Sequence, residues 1–463
     1  MRHGTLLVDL ETVDATSLFN CFRRFLIRPR SRSPEPQNGE CVEMDFGKDS
    51  TASMGKSVVN AAVLDHSARS YAATPSEASR SVTLESVNCC NVGRSTISIF
   101  ISDLSKVMGA LLPNSVSIVR TASTLPDKIV SNCEIGELLI AGVRIDDEAA
   151  ADIVAKTRER SELIERKTGL RARRFFAPTQ SPVDVGVELL DRLLPEDAWA
   201  TLDALIISSS SIQGFPGLSQ QIIAAARHRH PERGAPFVLD VGSNACTSFM
   251  YGVTIGVSTM NALGYRRVAC LAIEFASRCI AYDPIAFGTS TLFGDAAAGV
   301  LLGSDEKGVA TVRAVRASSM VDAETVGMIK GSGMQAAQLS AEVPMAMRWF
   351  MSGPPVAIGA TRILIEEIQR YQAEGVTIDW LIPHQANLTR ILIPACEKTG
   401  IDPNRLCASF AETGNTSSAS IPLLLDQLAR SGRAMPGQTA LLVGFGASFT
   451  LSSALIEFSL ERT

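Results

Sequence analysis

Residues 379–388 read DWLIPHQANL, an apolar strand-forming run that stops at a proline and delivers a histidine, His384, to its carboxyl end. Ligands of open α/β sheets bind beyond the carboxyl ends of the strands, so the place of this histidine matters as much as its chemistry. The same opening occurs earlier in the chain. DALII, from Asp203, is echoed by DWLIP; SNACTS, from Ser243, by GNTSSAS, from Gly414; and VACLAIE, from Val268, by TALLVGFG, from Thr439, at offsets of roughly 170 to 176 residues. Such a recurrence points to duplicated halves. Between the echoes, DALIISSSS, PFVLDVG, VACLAIE and AAGVLLG read as strands, and YGVTIGVSTMNALG and GATRILIEEIQRYQ as helices. The alternation predicts an α/β protein with a layered sheet, its two similar halves meeting face to face.

Composition bounds the function classes. With 463 residues, nearly half of them apolar, the chain can bury a large core and holds two to three domain-sized units. The net charge of −5 and the dispersed basic residues argue against a nucleic-acid groove or an acidic-membrane binder. Even the greasiest stretch, STISIFISDLSKVMGALL, is interrupted by Asp103 and Lys106, so no membrane span is expected and the protein is placed in the cytoplasm. Ten cysteines lack metal-ligand or disulfide spacing, and most read as small buried hydrophobes kept reduced. Residues 1–110 are rich in Ser, Thr, Pro and Gly and read as a poorly ordered extension, with Met108 as an alternative start to the working protein. The ordered halves are expected at 115–308 and 309–463.

Only five histidines are present, and His384 is the one that follows an apolar strand directly. A lone histidine there is more often structural than catalytic. Two further stretches bear on it. DVGSNACTSFMY (240–251) sets Cys246 where a strand gives way to a helix, a position that favours thiolate character but equally suits a small core residue. ETGNTSSASIP (412–422) sets Asn415 after a glycine and before a small-residue helix, where a turn or helix cap is the bland alternative. In LLVGFGASF, Gly444, Gly446 and Ala447 allow close backbone approach, or simply a tight turn.

DVGSNACTSF, LFGDAAAGVLL, WLIPHQANL, GNTSSASIPLLLDQLARSGRAMPGQ and GFGASFTLSSALIEF, with KTGLRARRF from Lys167, together resemble the motifs of the ketoacyl-ACP synthase III family over residues 115–463. These are condensing enzymes. The resemblance implies a thiolase-like, duplicated five-layer αβαβα fold and a homodimer. It implies Cys246 as the acyl-accepting nucleophile, His384 and Asn415 as hydrogen-bond donors to an extender thioester, and backbone N–H groups of Cys246 and Ala447 as the oxyanion hole. It further implies substrate contacts by Phe445, Asn387 and Lys167, and by Phe215 reaching into a partner subunit. The implied partners are an acyl carrier protein and an acyl-CoA or acyl-ACP donor, with no metal or redox cofactor.

The sequence also departs from the family pattern. Leu163 and Lys167 stand where the resemblance implies a tryptophan and an arginine that clamp adenine, and Thr389 stands where it implies a carrier-docking arginine, with Arg390 one position on. These changes suit a member serving specialised metabolism. Three readings stay open: decarboxylative condensation of an acyl starter with a malonyl-type extender, acyl transfer to an alcohol, amine or thiol without loss of carbon dioxide, and a non-catalytic partner subunit. The presence of Asn415, which serves enolate formation, favours the first.

Overall fold

The computed structural model describes residues 115–459 apart from 142, 144–147, 195, 212–213, 230–235, 321–328, 331–348, 352 and 447–448, together with the paired two-residue strands Val42–Glu43 and Ser98–Ile99. Apart from those two short strands, residues 1–110, expected to be a poorly ordered extension, fall outside the described residues. The chain divides into units at Leu111/Leu112, and the second unit carries everything that follows.

Nine strands of this unit are hydrogen-bonded in one series: β1 (Val116–Thr124), β2 (Ala204–Ser208), β3 (Phe237–Val241), β4 (Arg267–Glu274), β5 (Ala296–Ser304), β6 (Ala310–Ser319), β7 (Trp380–Pro383), β8 (Thr439–Phe445) and β9 (Thr450–Phe458). Their spatial order is β7-β8-β9-β6-β1-β5-β4-β2-β3. The first half contributes β1-β5-β4-β2-β3, and the second repeats that order as β6-β9-β8-β7. At the junction β1 and β6 share only the register pairs Ala310↔Ile118 and Thr311↔Ser117. The echoed segments therefore fall on equivalent strands, β2 with β7 and β4 with β8, and in each half β2, β4 or their counterparts run parallel to a neighbour.

Alternation along the strands builds the layers. Ala204 and Ile206 of β2 and Ala440 and Leu442 of β8 face a central core with helices α3 (Ser248–Leu263) and α6 (Ser420–Ser431). Leu205 and Ile207 face outward onto α1 (Pro182–Leu193) and α2 (Leu218–Arg229), while Leu441 and Val443 face outward onto α4 (Gly353–Ala373) and α5 (Ile393–Thr399). Successive strand residues point to opposite faces, so both faces of each sheet must be apolar, and β2, β4 and β8 are accordingly almost continuous apolar runs. The result is the expected five-layer αβαβα arrangement. The middle helix α3 is apolar on nearly every side, as a helix between two sheets must be. Its Gly256 lies where a Cβ would come within 3.0–3.4 Å of Leu302, Cys270 and Val268, which sets how closely the helix approaches the sheet.

Candidate active site

Beyond β3 the chain turns through Gly242–Asn244 into a 3-10 turn, Ala245–Thr247, which feeds α3. Ala245 has φ of 49°, a left-handed conformation that an alanine adopts only when its surroundings hold it there. Hydrogen bonds from Ala245 N to Gly242 O (3.1 Å), Thr247 N to Asn244 O (3.1 Å) and Thr247 Oγ1 to Thr450 O (3.1 Å) provide that hold. The end of β8 presses against the same turn: a Cβ on Gly446 would lie 2.5 Å from Thr247 Oγ1 and 2.6 Å from Asn244 O. Gly446→Ala is therefore expected to displace the cysteine turn, destabilising the protein by about 1–3 kcal/mol and slowing Cys246 alkylation or acylation, as read by urea denaturation and mass spectrometry.

A second turn faces it. Asn415 is locked by backbone bonds, its N–H to Leu292 O (2.8 Å) and its carbonyl accepting from Gly294 N (3.0 Å). Its Oδ1 accepts from Ser417 N (2.8 Å), which fixes the amide on the side of the turn where the Asn415 side chain helps to lower the pKa of the Cys246 thiol. Ser417, also left-handed at φ 49°, brings its Oγ to 3.6 Å from Cys246 Sγ. His384 continues β7, its N–H donating to Val443 O (2.9 Å), and is 2% exposed. Its Nδ1 lies 2.9 Å from Ser420 Oγ, and Ser420 Oγ donates in turn to Ser417 O at 2.9 Å. With the Ser420 hydrogen on Ser417 O, Nδ1 carries the imidazole proton and Nε2 is free to accept; with that hydrogen turned to Nδ1, Nε2 carries the proton. Ser417 touches both other players, the thiol through its hydroxyl and the imidazole through its backbone carbonyl.

Burial sets the resting charge state. Loss of hydration pushes the Cys246 thiol up to about 12, with hydrogen bonds from Ser417 and Asn415 pulling the other way, and pushes His384 down to about 3. Burial thus opposes the thiolate character expected of Cys246 at a helix start, where the dipole is worth about 0.3–1 kcal/mol. Both shifts favour the neutral forms, a thiol and an imidazole. The His384 value carries a pH consequence: between pH 6.5 and about 3 the unfolded chain holds a proton that the folded protein lacks, so stability falls as the pH falls through that window. His384→Gln should remove this component, making the loss of unfolding free energy between pH 7 and pH 5 smaller than in the wild type by about 2 kcal/mol.

The remaining expected residues are more dispersed. Phe445 is buried with its ring edge-on to His384, centroids 5.1 Å apart. Asn387 is buried, but its Oδ1 accepts from Arg390 N (2.9 Å) and caps the following helical turn. Lys167 is exposed, and its carbonyl accepts from Thr389 Oγ1 (2.9 Å), so Thr389 ties two surface segments together. Phe215 is fully exposed on the loop after β2, away from this chain's own core. Ala447 lies outside the described residues. Gly446 N, which sequence alone offered as a free donor to a reacting oxygen, is instead taken by Thr450 O at 3.0 Å. Ser417, Ser420 and Glu274 were not singled out from sequence; the first two stand in the quoted GNTSSASIP, and Glu274 signals itself as a charge closing an apolar strand.

Comparison with known proteins agrees with this geometry. Residues 239–320 match the 3-oxoacyl-[acyl-carrier-protein] synthase III family and residues 368–458 its C-terminal domain. The beta-ketoacyl-[acyl-carrier-protein] synthase III of Acidiphilium cryptum is 31% identical over 343 residues, 73% of this chain and 97% of the relative. Among solved structures, the priming beta-ketosynthase of the R1128 polyketide pathway is 25% identical with a TM-score of 0.60, covering 74% of this chain and 96% of its own. The Pseudomonas aeruginosa 3-oxoacyl-(acyl carrier protein) synthase III, at 24% identity, has a TM-score of 0.60 over 75% and 99% of the two chains. The chain thus belongs to the 3-oxoacyl-ACP synthase III family, enzymes of the acyl-transferring, condensing class with the thiolase fold.

Proposed function

We propose that this protein is a decarboxylative condensing enzyme that takes an acyl group from an acyl thioester onto Cys246 and joins it to a malonyl-type unit carried on an acyl carrier protein. The observation that carries the reading is the Asn415 amide, whose backbone and Oδ1 are locked, leaving its N–H donors for a substrate on the turn that faces Cys246. In the loading step Cys246 Sγ attacks the thioester carbonyl while His384 Nε2 takes the thiol proton. The donor thiol leaves and receives that proton from Nε2. In the second step Asn415 donates to the thioester oxygen of the extender, which loses carbon dioxide to give an enolate stabilised by that bond. His384 joins as a donor in its other tautomer, in which Nδ1 gives its proton up to water, Nε2 takes one from water and the Ser420 hydroxyl turns from Ser417 O to donate to Nδ1. The enolate carbon attacks the acyl carbonyl, and the Cys246 sulfur departs as a thiolate and takes a proton from water. This chemistry uses no metal or redox cofactor.

An acidic carrier protein is supported by a groove of about 700 Å³ along α4 and α5, lined by Ile358, Arg362, Arg390 and Lys398, with Glu366 as an acidic member. Arg390 lies there while Thr389 is engaged with Lys167, so the one-position shift of the arginine moves the cation rather than removing it. A homodimer is supported by β3, which ends the sheet with Phe237 exposed, and by Phe215, exposed on the loop after β2. Carrier and coenzyme thioesters are cytoplasmic substrates, and we place the enzyme there. The altered positions Leu163 and Lys167 support a starter other than that of primary fatty-acid synthesis, in fatty-acid or polyketide-type specialised biosynthesis. The test is release of carbon dioxide from carboxyl-labelled malonyl carrier protein with a panel of acyl thioesters. Starter-dependent release establishes condensation. Acylation of Cys246 without release favours transfer to an alcohol, amine or thiol acceptor.

A further inference from the structure

Glu274, the last residue of β4, is a fully buried carboxylate that the chemistry above does not use. Its Oε1 accepts from Ser418 Oγ (2.5 Å), Ser418 N (3.3 Å) and Ser210 N (3.1 Å), and its Oε2 from Ser211 Oγ (2.7 Å), Ser211 N (3.1 Å) and Ser210 N (3.2 Å). Both oxygens therefore face backbone N–H groups, which only donate. That arrangement suits an ionised carboxylate even though burial pulls the group toward its neutral form.

The internal duplication explains where this carboxylate points. Each half starts its inner helix with a 3-10 turn whose first residue has φ of 49°, Ala245–Thr247 before α3 and Ser417–Ala419 before α6. Ser418 thus occupies in the second half the place that Cys246 occupies in the first. Instead of a nucleophile, the second half presents a serine whose hydroxyl and N–H are both bound by Glu274. The turn from Asn415 to Ser418 is consequently pinned at both ends, by the backbone bonds of Asn415 to residues 292–294 and by Glu274 at Ser418. The Ser417 hydroxyl, which touches Cys246, and the Asn415 amide, which helps to lower the pKa of the thiol, both belong to the segment held by these pins. The left-handed Ser417 needs such support to keep its conformation.

Resting on the condensing reading, we propose that Glu274 is a positioning residue for the extender step: its carboxylate holds the Asn415–Ser418 turn at the distance from Cys246 at which Asn415 meets the second substrate. Glu274→Gln tests this directly. A carboxamide has one accepting oxygen, and its NH2 then opposes a backbone N–H of Ser210 and either Ser211 or Ser418, so the anchor is lost with little change in volume.

The expected result is a partition. In Glu274→Gln, carbon dioxide release from malonyl carrier protein falls about 10–100-fold, the range for loss of a residue that orients a functional group. Acylation of Cys246 from the starter thioester changes less than about threefold. A second readout needs no extender: the pH midpoint of Cys246 alkylation by iodoacetamide moves down by about one pH unit, because a negative charge beside the thiol is gone. The buried titratable groups that face this network are Cys246 itself, His384 through Ser417, and Cys279, which feels both Glu274 and Asp295, all unchanged in the variant. Glu274→Asp keeps the charge but not the reach, so it should lose carbon dioxide release while retaining the wild-type alkylation midpoint. Equal losses of loading and release in Glu274→Gln, or no loss of either, would overturn the proposal. Should Glu274→Gln fail to fold, Ser418→Ala removes one bond of the anchor and is expected to lower release about 3–10-fold with loading intact, and equal effects on both steps count against it. If the wild type releases no carbon dioxide from any extender, the condensing reading fails. The alkylation midpoints then still judge Glu274, and an unchanged midpoint in Glu274→Gln overturns its role beside Cys246.

Discussion

Cys246→Ala is expected to carry no acyl group after incubation with any thioester that loads the wild type, a loss on the order of 10⁴-fold or more in condensation, read by intact-protein mass spectrometry and product formation. The argument is geometric. Cys246 sits in a strained turn at the mouth of α3 with the Ser417 hydroxyl 3.6 Å from its sulfur. Among the described residues the other free cysteines near this layer differ in kind: Cys270 is buried in the central core, and Cys279 donates to Ser211 O at 3.2 Å. Loading can move to neither. Because Asn415 and His384 survive in the variant, slow decarboxylation of the malonyl carrier should persist without a starter, which would separate the two half-reactions. Undiminished loading of Cys246→Ala would remove the nucleophile from this reading altogether.

His384→Ala is expected to strike both half-reactions. Removing Nε2 takes away the group that receives the thiol proton, slowing loading, which matters more for a thiol held near 12 than for one already ionised. It also removes one donor at the enolate, for which losses of about 10²–10³-fold in carbon dioxide release are typical. Asn415→Ala should spare loading and depress release, so the two variants differ in which step fails. Retention of wild-type release by His384→Ala would sink the role assigned to the imidazole. Because the ring is held through Nδ1 by Ser420, Ser420→Ala should reproduce part of the His384 defect without touching the thiol.

Much of this was legible in the sequence because it rests on local chemistry. The apolar runs ending in Ser208, Glu274, Pro383 and Phe445 are long enough to be buried strands and recur in the same order, which is why the duplication and the layered sheet could be read directly. Cys246, His384 and Asn415 all follow small-residue or proline breaks at strand or helix ends, where side chains point at ligands rather than into the core. The protonation state was not legible. Thiolate character was inferred from a helix terminus, a feature of neighbours in sequence, whereas desolvation depends on the turns packed over the sulfur from 170 residues away.

Periodicity and repetition in the chain as written determined the α/β class and the repeat, and the resemblance of its motifs to a known family singled out Cys246, His384 and Asn415. Tertiary structure alone decided how they work together. It set the Ser417 hydroxyl against the thiol and Ser420 against the His384 ring, spent the Gly446 N–H on Thr450, and closed five serine donors around Glu274. Each of these joins residues far apart along the chain. Hydrogen-bond direction and burial exist only once both partners are in place, and no local pattern carries them.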